Sequence, residues 1–492
     1  MKKSHYLAFD IGASSGRAIL GTLFGDRVTL QEVHRFSNEM SFQDGHYHWN
    51  IFLLFEELKL GLKKCIHEYK ITPDSIAIDT WGVDFGLVGA DNKLLGWPFA
   101  YRDSITDNAM QEVFSIVEPY ELYKMTGIQF MKFNSLFQLW SIKKQYPDLI
   151  RKAKKLLFMP DLLGFMFTGK SWSEDTIAST SQMVDPVSKS WLTKLMDTLD
   201  LPVNILQESV SPGNTMGALL PDIQEELNCQ AIPVVASCAH DTAAAIAAIP
   251  ATGDNWVYIS SGTWSLMGME LDEPVLNEAA FTASFTNEGG FAGTTRFLKN
   301  ITGLWLLQEC KKVWDEDQPI SYSELVNKSI DALPFQSLVD PDHQDFMNPD
   351  NMQEAIANYC QRTGQEIPDG IPGFARCIFE SLALKYKYTL DLLLKAHPAQ
   401  PEKIHIIGGG THNELLCQYT ANATGLNVIA GPAEGAALGN ILVQAYAAGK
   451  ISGVYEIRQL ARNSVITKNY QPEDQESWSK AYNQWLKLID FE

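Results

Sequence analysis

An α/β fold in two lobes is what the sequence predicts, and two observations predict it. Short apolar, strand-like runs alternate with segments of helical spacing. The layout of Tyr6–Gly21, an apolar strand, a small polar turn and a second apolar strand, also returns at Asn255–Gly268. The likeness is one of pattern and not of identity. A chance pair of hairpins accounts for it equally well, so the motifs must decide.

In chain order, Tyr6-Leu-Ala-Phe-Asp10 is a strand ending in an acid and a Gly/Ser turn, and Arg17–Leu23 is the returning strand. Val28–Phe36 and Ser75–Asp79 read as further strands. Asn50–Tyr69 carries helical spacing at Phe52, Phe55, Leu58, Leu62 and Ile66, and more helix is expected within 107–166. Ile249-Pro-Ala-Thr-Gly-Asp254 reads as a linker. The expected domains are therefore 1–250, 255–449 and a helical, aromatic C-terminal appendage over 450–492 with Trp478, Tyr482 and Trp485.

The 492 residues allow about two to four domains. A net charge of -20 repels polyanions, so neither nucleic acid nor an anionic membrane is expected as a partner. A nucleotide held by a few local amides remains compatible with it. Lys2 and Lys3 imitate a signal-peptide start, but Asp10 and Ser14-Ser-Gly-Arg17 interrupt the apolar stretch. No run approaches the ~18 apolar residues of a membrane span. Seven cysteines without a CxxC pair read as core thiols of a reducing compartment, and a Cys360–Cys377 disulfide is the lesser expectation. The expected location is the cytoplasm, no zinc site is expected, and the oligomeric state is left open.

Gly164-Phe-Met-Phe-Thr-Gly-Lys-Ser171 fits the Walker A pattern letter for letter. A phosphate loop needs a preceding strand and a following helix. Bulky residues fill this one and a polar stretch follows, so it reads as a helix end capped by Gly169.

Asp10-Ile-Gly-Ala-Ser-Ser-Gly-Arg17 is a stronger signal. Its turn offers amides and hydroxyls to phosphoryl oxygens, Asp10 can hold Mg²⁺ directly or through water, and Arg17 adds positive charge. The plain alternative is an ordinary hairpin turn. In Ser237-Cys-Ala-His-Asp241-Thr, Asp241 starts a helix of small residues, where the macrodipole favours its ionised form. Such a carboxylate is what phosphoryl transfer asks of a proton acceptor, although it could equally be a plain helix cap. Ser260-Ser-Gly-Thr263 is a second phosphate-type turn. Ile404–Gly410 is a strand running into three glycines that permit close backbone approach, and Glu434–Gly439 reads as tightly packed helix.

Taken in order, these pieces resemble the FGGY carbohydrate kinases of the actin-like ATPase superfamily, over roughly residues 5–450. Asp79–Gly86, Ala239–Thr242, Ser260–Gly268 and Lys299–Trp305 carry the resemblance most specifically. It implies an α/β, two-lobed actin-like ATPase (RNase H-like) fold, with ATP and sugar in the interlobe cleft. By position it implies that Ala13, Ser14, Ser15, Gly16, Arg17, Thr263, Gln308 and Gly410 contact ATP. Gly82, His240, Asp241, Thr242 and Asn300 are then the sugar contacts, with Asp241 as proton acceptor and Asp10 as the Mg²⁺ partner. The implied acceptor is a deoxy-ketose, L-rhamnulose, phosphorylated on its C1 hydroxyl. Another ketose such as L-fuculose, or a non-kinase actin-like ATPase, is the alternative. The family's lysine-x-tryptophan signature appears as Gln138-Leu-Trp140, and its Met-His-Gly segment as Thr80-Trp81-Gly82. The roles of Trp81, Asp84, Arg102 and Asp103 stay open, with Trp81 either stacking on the sugar or filling core.

Overall fold

The computed structural model describes residues 2–317 and 319–489. The chain forms two compact units. The first comprises the chain up to Pro250 together with Glu270–Phe297 and Gly435–Val465. The second comprises Ala251–Met269, Leu298–Glu434 and the chain from Ile466 onward.

In the first unit, β1 (Ser4–Ile11), β2 (Ser15–Phe24), β3 (Arg27–Ser37), β4 (Ser75–Thr80), β5 (Asn214–Ala218) and β6 (Pro233–Ala236) form one sheet. Their order is β5-β6-β4-β1-β2-β3. β1 is antiparallel to β2 and parallel to β4, which is parallel to β6. Both faces of β1 are covered, which is why Tyr6-Leu-Ala-Phe9 is a continuous apolar run and not an alternating one. Leu7 and Phe9 join a core with Leu58 and Leu62 of the helix Ile51–His67. Tyr6 and Ala8 face Ala244, Ile441 and Leu442 on the other side.

The second unit repeats the plan. β7 (Trp256–Ser261), β8 (Trp264–Leu271), β9 (Thr295–Thr302), β10 (Lys403–Ile407), β11 (Asn427–Ala430) and β12 (Lys468–Tyr470) lie in the order β9-β8-β7-β10-β11-β12, with the end of β8 from Glu270 and the start of β9 up to Phe297 belonging to the first unit. β7 is antiparallel to β8 and parallel to β10, which is parallel to β11. The run β9-β8-β7-β10-β11 matches β3-β2-β1-β4-β6, so the two hairpins seen in the sequence are the same piece of one topology.

The stretch 450–492, read from the sequence as one appendage, is divided: its residues to Val465 lie in the first unit and those from Ile466 in the second. There Trp485 of the helix Gln475–Ile489 is fully buried and donates its indole N–H to the Val339 carbonyl at 2.7 Å. Met159–Thr168 is a helix ended by Gly169 at φ 70°, whose N–H closes on the Phe165 carbonyl at 2.7 Å. The Walker-like letters are therefore a helix and its C-cap. All seven cysteines are free, with the Cys360 thiol hydrogen-bonded to that of Cys377. Among the described residues no helix is long and apolar enough to cross a membrane.

Candidate active site

The first unit gathers three acids. Asp10 and Asp79 are register partners on the parallel strands β1 and β4. A bridge from Thr80 to His240 brings Asp241 to the same end of the sheet. Asp79 is fully buried, and burial pushes its carboxyl well up. The charges of Asp10 and Asp241 push the same way, against a 2.6 Å hydrogen bond donated by Asn440. Asp10 pairs with Arg17 at 2.7 Å across the hairpin. The turn between them is braced from outside, with Asn38 donating its side chain to the Gly12 carbonyl at 2.9 Å and its backbone N–H to that of Ser14 at 3.0 Å. Among the described residues no group of three or more acids, histidines or cysteines is arranged to hold a metal ion, and Asp10, at 11% side-chain exposure, is engaged by Arg17.

Asp241 opens the helix Asp241–Ala247, and its side chain is 31% exposed. Its Oδ1 accepts from the Thr242 hydroxyl at 3.0 Å. The peptides just before it hang on buried Glu174. Glu174 Oε2 accepts from Thr176 N–H (3.0 Å), the Thr176 hydroxyl (2.6 Å) and Ala239 N–H (3.1 Å). Thr176 Oγ1 in turn accepts the His240 N–H at 3.2 Å. Burial raises the Glu174 carboxyl to about 7, against the hydrogen bonds of Thr176. Glu288 lies 3.4 Å from the His240 ring and 3.0 Å from the Arg296 guanidinium. Burial works to raise it, yet Arg296 and His240 hold it below the usual range.

Gly82 stands beside Thr180, which would meet an added Cβ at 3.2 Å. The next residue, Val83, adopts φ 69°, a left-handed conformation that costs a β-branched side chain on the order of 1–2 kcal/mol. It is clamped by its N–H donating to Thr180 Oγ1 at 3.1 Å and by the Ser135 hydroxyl on its carbonyl at 2.5 Å. Asp84 follows as a buried hub. Trp49 (2.6 Å), Trp81 (2.9 Å) and the Tyr101 N–H (3.1 Å) donate to one oxygen, and Gln138 (2.8 Å) donates to the other. Burial still lifts its carboxyl to about 6. Trp81 is buried and packs on Trp49 with ring centroids 4.4 Å apart. Asp103 caps a hairpin through His46 (2.7 Å) and the Tyr47 N–H (2.7 Å), and Arg102 lies exposed over the Tyr101 ring.

The second unit carries its own group. The turn between β7 and β8 is braced by the segment behind it, with Leu304 N–H on the Gly262 carbonyl at 2.9 Å and Gly303 N–H on that of Thr263 at 3.1 Å. The Thr263 hydroxyl donates to Gln308 Oε1 at 3.0 Å. Gly408 has φ 84°, and a Cβ on Gly410 would lie 2.0 Å from Ser261 Oγ, so both glycines are required by the fold. Gly409 faces open space. Beside it lies a cavity of about 780 Å³, lined by Gly262, Gln308, Tyr322, Val326, Gly409 and Gly410 among others, within the size range of a small-molecule site. Asn300 sits on β9 next to Lys299, whose ammonium burial lowers to about 8 in spite of Asp342.

Asp10, Ala13–Arg17, Gly82 and His240–Thr242 thus lie in the first unit, and Thr263, Gln308, Gly410 and Asn300 in the second. Glu174, Glu288, Arg296, Asn38 and Tyr322 went unread in the sequence. Each stands outside the Gly/Ser turns and the Ala239–Thr242 motif, and Glu174 and Arg296 reach that motif only through contacts distant in the chain, Ala239 and His240.

Comparison with known proteins gives a consistent result. The N-terminal and C-terminal domain models of the FGGY family of carbohydrate kinases match residues 5–248 and 257–448. A rhamnulokinase of Bacteroides thetaiotaomicron is 44% identical over 480 residues, covering 98% of each chain. One of Halalkalibacterium halodurans is 40% identical over 474 residues, covering 96% of this chain and 100% of its own. Among solved structures, a ligand-bound xylulose kinase from Lactobacillus acidophilus superposes with a TM-score of 0.84 at 14% identity, over 99% of this chain and 98% of its own. Glycerol kinase from Plasmodium falciparum with ADP gives 0.81 at 14% identity, over the same shares. At such identity these two speak for the fold alone.

Proposed function

The chain belongs to the FGGY family of carbohydrate kinases, and from that premise we propose that it transfers the terminal phosphate of ATP to the C1 hydroxyl of L-rhamnulose. The observation that carries the acceptor is the 44% identity, over 98% of both chains, to a rhamnulokinase. Within the first unit, Asp241 is the proton acceptor. Its Oδ1 is occupied by Thr242, and its side chain is 31% exposed, so Oδ2 is the oxygen left for a sugar hydroxyl. The proton passes from the C1 hydroxyl to Asp241, the oxygen forms its bond to the γ-phosphorus in line, and the bond to ADP breaks.

Gly82, His240, Thr242 and Asn300 hold the sugar in this reading. Ala13–Arg17, Thr263, Gln308 and Gly410 hold ATP, with the 780 Å³ cavity of the second unit as the seat of its base and ribose. Mg²⁺, held by Asp10 and by phosphate oxygens, would neutralise charge on the transferring group. Arg17 is placed to exchange its carboxylate partner for a phosphoryl oxygen. The N-terminal lobe in this reading carries the base, most of the sugar contacts and the first phosphate turn, the C-terminal lobe carries Asn300 and the rest of the nucleotide contacts, and the location is the cytoplasm.

Two measurements test this. ADP release is followed with L-rhamnulose, L-fuculose, L-ribulose, D-xylulose and glycerol, and L-rhamnulose is expected to give the highest kcat/KM. A preference for another ketose replaces the acceptor and leaves the family standing. Asp241→Asn is expected to bind ATP normally and to lose sugar-dependent turnover by about 100-fold or more. Near-normal turnover by that variant removes Asp241 from its role.

A further inference from the structure

His240 stands between two partners that make opposite demands on its ring. Arg296 on β9 is fully buried. Its Nη2–H donates to His240 Nδ1 at 3.0 Å, and its Nε–H to the Gly289 carbonyl at 2.8 Å. A guanidinium has no acceptor and keeps its protons, so the ring nitrogen it meets must present a lone pair. The imidazole proton then belongs on Nε2, the nitrogen 3.5 Å from Asp241 Oδ1. We propose that Arg296 is a positioning residue for the reaction, holding the His240 ring with its proton on Nε2, the nitrogen that faces the Asp241 carboxylate.

The proposal rests on the reading of Asp241 as proton acceptor. It assigns the two oxygens different work. Oδ1 is steadied by the Thr242 hydroxyl, with His240 Nε2 3.5 Å away, while Oδ2 is the oxygen that takes the hydroxyl proton. A doubly protonated His240 would set an Nδ1–H against the guanidinium and a second cation beside it. The other groups that face the ring are few. Glu288, on the strand Thr286–Gly289, lies 3.4 Å from Nδ1 and 3.0 Å from Arg296 Nη2, nearer to the guanidinium than to the ring. Thr176 holds the His240 backbone N–H, with Glu174 behind it.

The test is ring-nitrogen NMR on the full chain labelled with ¹⁵N-histidine, with His240 assigned by the signals lost in His240→Gln. At pH 7 the wild type is expected to show one His240 tautomer, protonated at Nε2 only. Arg296→Met is expected to lose that signature and to drop kcat roughly 10- to 100-fold, with sugar KM changed less than about threefold. Arg296→Lys, which still donates, is expected to recover part of both. A wild-type His240 protonated at Nδ1 or at both nitrogens overturns the proposal, whether or not the variants fold. So does an unchanged His240 signature in Arg296→Met, or a changed signature with wild-type kcat. An active Asp241→Asn sinks the base itself and leaves the wild-type tautomer result untouched, so the two failures are told apart.

Discussion

Glu174 and Asp84 carry carboxyls raised by burial, to about 7 and about 6 from ordinary values of 4.5 and 3.8. Each therefore binds a proton more tightly in the folded chain than in the unfolded one. The stability this contributes is complete below the unfolded values and is lost as pH rises through 6 to 7. Glu174→Gln keeps an acceptor for Ala239 and cannot titrate. Between about pH 5 and 7.5 the wild-type urea midpoint is expected to fall more steeply than that of the variant. Equal slopes would remove Glu174 from the titrating groups that matter. The same residue marks a limit of reading from sequence. Asp10 and Asp241 were legible because each stands in a local motif, with its turn or helix start beside it. Glu174 gathers its donors from Thr176, Ile177 and Ala239, and nothing in residues 173–178 alone announces the last of these.

At the scale of elements, the close approach of two helices decides what the site can tolerate. A Cβ on Gly439 would stand 1.8 Å from the Ala244 carbonyl oxygen, a backbone atom with nowhere to yield. The Gly- and Ala-rich spelling of both helices was readable as tight packing, although which helix met which was not. Gly439→Ala is expected to cost on the order of 3 kcal/mol, seen as a lower thermal midpoint, and to reduce kcat by displacing the helix that begins at Asp241. The glycines after β10 divide differently. Gly410→Ala is expected to destabilise the second unit, because Ser261 occupies the space. Gly409→Ala, with nothing within 4 Å, is expected to fold normally and to raise KM for ATP severalfold. A Gly409→Ala enzyme with wild-type KM for ATP would move the nucleotide away from this turn. The two hairpins, by contrast, were spelled in the sequence: Tyr6–Leu23 and Trp256–Leu271 are antiparallel pairs of one layout, while the order of the other strands was not legible.

For the whole molecule, the repeated hairpin layout and the family resemblance together implied two related halves, but not the path of the chain between them. The aromatic end of the chain read as an addition, because Trp478, Tyr482 and Trp485 show helical spacing and no partner. Trp478 in fact packs against Phe335 and Tyr419, and Trp485 is fully buried. Trp485→Ala is expected to cost about 3–5 kcal/mol of the second unit's stability, measured as a lowered unfolding midpoint. An unchanged midpoint would return that helix to the status of an ornament.

The helix Gly435–Ala447 lies in the sheet's own neighbourhood in the first unit: Asn440 holds Asp79, and Gln444 donates to the Leu7 carbonyl at 3.2 Å and accepts from Ser75 at 2.7 Å. During translation, β1 and β4 thus leave the ribosome several hundred residues before the helix that covers them. The nascent first half waits with apolar surface bare, and at about 5–20 residues per second that wait lasts on the order of tens of seconds. Residues 1–250 made alone are expected to precipitate, and to stay in solution when 435–465 is supplied on the same chain. The enzyme can begin work only after residues 435–465 have been made.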